Sequence, residues 1–187
     1  MSPIRSIAFI GNHLPRRCGI ATFTHDLHRA VASARADLHT SVVAMNDPGN
    51  SYSYPPAVGF QIRDDIAADY CEAAAFLNGG NFDVACLQHE YGIFGGQAGS
   101  NILGLLPLLM MPIVTTLHTI LAEPSSAQGA VMDQVIGYSS KLVVMSEKGH
   151  QLLRTVHDVP ASKIEIIPHG IPEYPFIEPQ HAKLKFG

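Results

Sequence analysis

Phe82-Asp83-Val84-Ala85-Cys86-Leu87 runs directly into Gln88-His89-Glu90-Tyr91-Gly92-Ile93-Phe94-Gly95-Gly96. The first six residues form a short run dominated by apolar side chains, the pattern of a strand buried on both faces. The glycine-bearing polar stretch then reads as the loop at that strand's carboxyl end. The same sequence grammar recurs on either side. Upstream, residues 4–10 make an apolar strand ending at Gly11, and the loop from Gly11 to Gly19 opens a helix over 20–35, where Ile20, Phe23, Leu27, Ala30 and Val31 recur at helical spacing. Ser41-Val42-Val43-Ala44-Met45 is a second strand, 46–56 a turn-rich loop and Val58–Arg63 a short strand. An alanine-rich helix over 66–77 stops at Asn78-Gly79-Gly80.

Downstream, Ser100 is expected to N-cap a helix reaching about Met110, limited by Pro107. Ile113-Val114-Thr115-Thr116-Leu117 is a β-branched strand. A helix over 127–137, the strand Leu142-Val143-Val144-Met145, a helix from Ser146 to about Val156 and a strand over 163–167 complete the series. Pro168-His169-Gly170 closes it, and residues 171–187, with Pro172, Pro175 and Pro179, read as a linker. Apolar strands alternating with helices predict the α/β class: a doubly wound, Rossmann-like parallel sheet covered on both faces.

The 187 residues correspond to about one domain. A chain of this size buries roughly 70% of its open-chain surface on folding, enough for a core without covalent staples. Apolar residues make up 47%, which excludes a disordered chain. Charged residues are only 15%, below the usual ~25%, so part of the surface is expected to meet something besides water. Twelve basic against sixteen acidic residues give a net charge of −4, and no basic footprint for nucleic acid is present. Cys18, Cys71 and Cys86 are odd in number and widely spaced, which argues against a disulfide framework and for a reducing compartment. The apolar stretch 7–11 is too short for a signal-peptide core. The stretch 102–114 is broken by Gly104, Pro107 and Pro112 and too short to cross a bilayer. A soluble, cytoplasmic protein without a transmembrane segment is the expectation.

Ligands of doubly wound sheets bind beyond the carboxyl ends of the strands, so chemistry is sought in the loops there. In the first loop, Gly19 lets a phosphate approach the backbone at a helix start, and Arg16 and Arg17 can add bidentate anion contacts. The alternative is that both arginines are merely solvated. The G-x-G-x-x-G fingerprint is absent, which weakens a dinucleotide reading. Cys18 reads as a packing residue, since no base stands beside it. In the second loop, His89 and Glu90 can bind hydroxyls or move protons. Gly92, Gly95 and Gly96 leave room for a ligand, and Tyr91 and Phe94 are expected to be exposed for stacking. His118, at the end of a central strand, is expected to face the crevice, where a neutral imidazole can donate or accept; a structural histidine is the alternative. Ser146 is first of all an N-cap. Gly170, beside His169, is expected to adopt an unusual backbone conformation. His25 and His28 share a helical face, but no third ligand and no C-x-x-C or H-E-x-x-H accompanies them, so no metal site is assigned. G-x-S-x-G is absent as well.

Read in order, Leu14-Pro15-Arg16-Arg17-Cys18-Gly19-Ile20-Ala21-Thr22-Phe23-Thr24, His89-Glu90-Tyr91-Gly92-Ile93-Phe94-Gly95-Gly96, Thr116-Leu117-His118-Thr119, Val144-Met145-Ser146 and Ile166-Ile167-Pro168-His169-Gly170-Ile171 resemble the N-terminal half of a family 4 glycosyltransferase of the GT-B fold. The resemblance implies two Rossmann-like domains facing a cleft, with residues 1–170 as the acceptor-side domain and 171–187 leading towards a C-terminal donor-binding domain. It implies transfer of a sugar from a nucleotide-diphosphate sugar to a carbohydrate acceptor, with retention and with neither cofactor nor obligatory metal. By position, Gly19 would pass near the donor, His118 would contact the transferred sugar, and His89 and Glu90 would line the acceptor side. His169-Gly170 stands where many relatives carry Asn-Gly-Val-Asp, with Pro172 in place of the aspartate. The family's E-x7-E pair and basic loop belong to the second domain, so this chain alone is expected to lack turnover. Two other readings stay open: a non-catalytic carbohydrate- or nucleotide-binding module acting with a partner chain, and an unrelated doubly wound enzyme such as an oxidoreductase.

Overall fold

A computed structural model describes residues 3–171 and 178–179. Apart from residues 171, 178 and 179, the linker expected over 171–187 lies outside the described residues. Seven parallel strands form one sheet: β1 (Ser6–Gly11), β2 (His39–Asn46), β3 (Val58–Arg63), β4 (Val84–His89), β5 (Ile113–Leu117), β6 (Lys141–Val144) and β7 (Ile164–Ile166), in the order β3-β2-β1-β4-β5-β6-β7. The helices are α1 (Gly19–Ala34), α2 (Ala67–Gly79), α3 (Ser126–Tyr138) and α4 (Glu147–Val156). This is the doubly wound, Rossmann-like architecture that the alternation of elements predicts.

The strand chemistry explains the order. Val42, Val43, Ala44 and Met45 of β2 are fully buried, as are Ala8 and Ile10 of β1, which suits the middle of a sheet covered on both faces. The edges differ. β3 alternates between partly buried and exposed side chains along most of its length, and β7 is three residues long, which limits its unpaired edge. The one acid in the β4 approach has a structural task. Asp83 accepts the backbone N–H groups of Arg5 and Ser6 at 2.7 and 2.9 Å, tying the start of β4 to the start of β1. Those donors hold its carboxyl below the usual carboxylate range.

Two clusters make the core. The larger joins β1–β4 to α2, α3 and the segment after β4; the smaller gathers Leu117, Met132, Leu142, Val144, Leu153 and Ile164 around β5–β7. The helix expected over 100–110 is absent. Two 3-10 segments, Gln97–Gly104 and Leu106–Leu108, take its place. Ala98 and Gly99 sit at φ 56° and 76°, just before Ser100, and Pro107 lacks an N–H, which interrupts an α-helical ladder over 100–110. The β2–β3 connection carries no helix either. Tyr52 donates to Asp47 at 2.9 Å and Tyr54 to Asn46 at 2.8 Å, which shapes that loop.

The chain runs outward from β1 to β3, returns to place β4 beside β1, and then runs outward to β7. The reversal marks the switch point at the carboxyl ends of β1 and β4, where doubly wound sheets form their ligand crevice. β1 and β4 pair from Ile7↔Val84 to Ile10↔Leu87, bringing Gly11 and Gln88 together on its floor.

Candidate functional site

His118 follows the last residue of β5, and its backbone N–H donates to the His89 carbonyl at 3.1 Å. Its Nε2 lies 3.1 Å from Oε1 of the fully buried Gln88. The ring of Phe23, from α1, meets His118 edge-on with centroids 4.7 Å apart, and meets His169 the same way at 5.1 Å. One aromatic thus brings together two histidines separated by 51 residues. Burial, and then the neighbouring His169, pulls the His118 pKa down to about 4. The ring is neutral at physiological pH. It is part-exposed and lines a cleft of about 300 Å³ with Thr119, Ile120, Ser146, Lys148 and Leu152.

The loop after β4 supplies the carboxylate. Glu90 N-caps the short 3-10 turn Tyr91–Ile93, its Oε1 accepting the Tyr91 N–H at 2.9 Å, while Oε2 accepts the Thr119 hydroxyl at 2.5 Å. Across the cleft, Ser146 caps α4 by accepting the Gly149 N–H at 3.1 Å, as its sequence position predicts. The start of α4, with Lys148, therefore faces His118 and Thr119 across the same opening.

Arg16 occupies a different position from that expected. It is not a free anion ligand: it pairs with Asp47 and donates to Asn12 Oδ1 at 2.7 Å. Its guanidinium joins the first loop to the loop after β2. Arg17 is exposed, and Gly19 opens α1 with nothing within 4 Å of where a Cβ would stand. Cys18 is the N-cap of α1, its Sγ accepting the Ala21 N–H at 3.3 Å, a packing and capping role. Nearby, His13 Nδ1 is 2.8 Å from the Leu14 carbonyl and so carries the proton. Its Nε2 then accepts from His25 Nδ1 at 3.3 Å. His28 bonds instead to Thr40 at 3.0 Å. Among the described residues, no group of three His, Cys, Asp or Glu is placed to hold a metal ion.

The second loop corrects several expectations. Tyr91 and Phe94 are buried, not exposed for stacking. His89 is fully buried, stacked on Phe94 and edge-on to Tyr91, with both ring nitrogens unpartnered. Burial, and then His118, takes its pKa down to about 4. The alternation of a strand explains this: Gln88 and His89 are successive residues on opposite sides of β4, so only Gln88 reaches His118. Gly92 is exposed with open space around it, but Gly95 is not ligand room. It sits at φ 61°, and a Cβ there would collide with the Asp64 carbonyl. Gly170 has no left-handed φ, contrary to expectation, and both it and His169 are exposed.

The structure thus places His118 and Ser146 on one opening, links Glu90 to it through Thr119 and His169 through Phe23, leaves Gly19, Arg17, Gly92 and Gly170 exposed, and puts Arg16, His89 and Tyr91 behind it. Gln88, Thr119, Phe23 and Lys148 join the site without having been singled out from sequence. Thr119 was adjacent to a chosen residue, and Gln88 stood one residue before another. Among the described residues, no helix is long and apolar enough to cross a membrane.

A parallel α/β sheet with polar groups collected at the ends of β4, β5 and β6 defines a Rossmann-like class of domain. Its family follows from comparison: the family model described as Glycosyltransferase Family 4 matches residues 18–173, and the chain belongs to that family. A crystal structure of a glycosyltransferase from Rickettsia africae ESF-5 is similar in fold, with a TM-score of 0.59 at 14% identity, covering 91% of this chain and 44% of that one. The chain therefore spans less than half the length of that protein. No curated protein matches the sequence.

Proposed function

We propose that residues 1–170 form the acceptor-side domain of a retaining glycosyltransferase that moves a sugar from a nucleotide-diphosphate sugar to a carbohydrate acceptor. The observation that carries the reading is the group at the strand ends: a neutral His118, the Glu90–Thr119 pair and the capped start of α4 around one cleft. Neutral imidazole and bonded carboxylate are suited to hydroxyl recognition, where directional donors and acceptors matter more than net charge. His118 contacts the transferred sugar. Glu90 faces the acceptor. Gly19, Arg17, Ser146, His169, Gly170 and Gly92 line the approach of substrate. Arg16, His89 and Tyr91 hold the loops in place from behind.

In this reading a second Rossmann-like domain, following a linker over 171–187, supplies the donor site, and the isolated chain does not turn over. Sugar transfer is tested with the chain joined to a donor-binding domain of the family, monitoring nucleoside diphosphate release across a panel of nucleotide sugars. Release that depends on both domains, and that falls at least tenfold in His118→Ala, is the expected result. Transfer by the 187-residue chain alone overturns the two-domain claim, and unchanged turnover in His118→Ala removes that residue from the site.

A further inference from the structure

We propose that Gln88 is a positioning residue that holds His118 in its Nε2–H tautomer and so presents Nδ1 to the cleft as a hydrogen-bond acceptor. The Gln88 Oε1 that lies 3.1 Å from His118 Nε2 is a carbonyl oxygen and can only accept, so the proton must reside on Nε2. The amide is oriented from its other end, where Nε2 of Gln88 donates to Cys86 Sγ at 3.4 Å. Its stem is held by the crevice floor. A Cβ on Gly11 would stand 3.0 Å from Gln88 Cβ, so the missing side chain at Gly11 makes the space that Gln88 fills.

The ring is fixed on its remaining sides as well. The His89 carbonyl anchors the His118 backbone at 3.1 Å, and Phe23 abuts the imidazole at right angles. The titratable neighbours are His169 beyond Phe23, which disfavours a charged His118, and His89 on β4, whose own pKa His118 helps to lower. A neutral ring protonated at Nε2 has its lone pair on Nδ1. Among the described residues Nδ1 has no protein partner, so the group it recognises is a donor. Resting on the transferase reading, that donor is a sugar hydroxyl, and an ether or fluoro substituent at the same point is rejected.

The test is a long-range proton–nitrogen correlation spectrum of the 187-residue chain with ¹⁵N-labelled histidine at neutral pH. The His118 signals are assigned by their loss in His118→Gln. The expected result is a dominant Nε2–H tautomer. Gln88→Leu removes the acceptor and gives a tautomer mixture. Gln88→Glu puts a carboxylate against the ring and raises its pKa by at least about one unit. A dominant Nδ1–H form in the wild type, or an unchanged tautomer in Gln88→Leu, overturns the proposal. Should the buried substitutions prevent folding, the wild-type spectrum alone decides. Absence of turnover with every nucleotide sugar by a two-domain protein that contains this chain, alongside an Nε2–H ring, would sink the transferase reading and leave the tautomer assignment standing.

Discussion

Thr119 donates its hydroxyl to Glu90 across 2.5 Å, joining the loop after β5 to the loop after β4. Because Glu90 also caps the 3-10 turn at Tyr91, one carboxylate ties the β5 wall of the cleft to the turn after β4. Thr119→Val keeps the shape and removes the donor. It is expected to cost about 1 kcal/mol, seen as a drop in Tm of about 2–4 °C. Thr119→Ser should melt with the wild type. Equal melting of the valine and serine variants would deny the bond any part in stability.

The Arg16–Asp47 pair is partly sheltered, with side-chain exposures of 12% and 32%. It therefore lies between the surface limit, where pairs contribute little, and the buried limit, where breaking one is severe. A double-mutant cycle with Arg16→Gln and Asp47→Asn is expected to give a coupling of about 1 kcal/mol in urea unfolding. Additive losses would mean that Arg16 is free to serve a ligand.

The depressed pKa values of His89 and His118, each about 4, set an acid limit on stability. Below the ordinary histidine value of ~6.5 the unfolded chain takes up protons that the folded chain refuses, so stability falls as pH drops. The contribution is intact above about pH 6.5 and is lost progressively down to about pH 4. For His89 the full loss amounts to about 3 kcal/mol. Urea titrations across this window should show the decline, and His89→Leu should flatten it. A slope unaffected by that substitution would assign the acid sensitivity to other groups.

Gly95 combines a left-handed backbone with contact against the Asp64 carbonyl. Gly95→Ala brings both strain and collision and is expected to destabilise by about 2 kcal/mol or more. Gly92→Ala, in open space, should be close to neutral. Similar melting temperatures for the two variants would contradict the distinction.

The sheet was readable because its strands are so apolar: Val42–Val43–Ala44 and Ile113–Val114 leave little choice of environment. The helix expected over 100–110 was not, because Ser100 offers an N-cap in sequence although the chain there winds as 3-10 segments interrupted before Pro107. The placement of His118 and Ser146 just beyond strand ends, on the cleft, is legible in the sequence. The burial of Tyr91 and Phe94 is not legible, because a glycine-rich loop reads as exposed and its inward fold is set by tertiary packing. Arg16 was misjudged because its partner Asp47 comes from a distant loop. The role of Gln88 is not written in the sequence, because it depends on which face of β4 the residue occupies, and that is set by register with β1 and β5.

The division of the core into two clusters has a dynamic consequence. β5 belongs to both, with Ile113 in the larger and Leu117 in the smaller. His118, next along the chain, therefore stands at a seam between two packing units, the outer of which is closed by a three-residue edge strand. Local opening of that outer unit would separate Ser146 and Lys148 from His118 without disturbing β1–β4. A sugar bridging the cleft would close the seam, and slowed amide exchange along β6 and β7 would record its arrival far from any atom it touches.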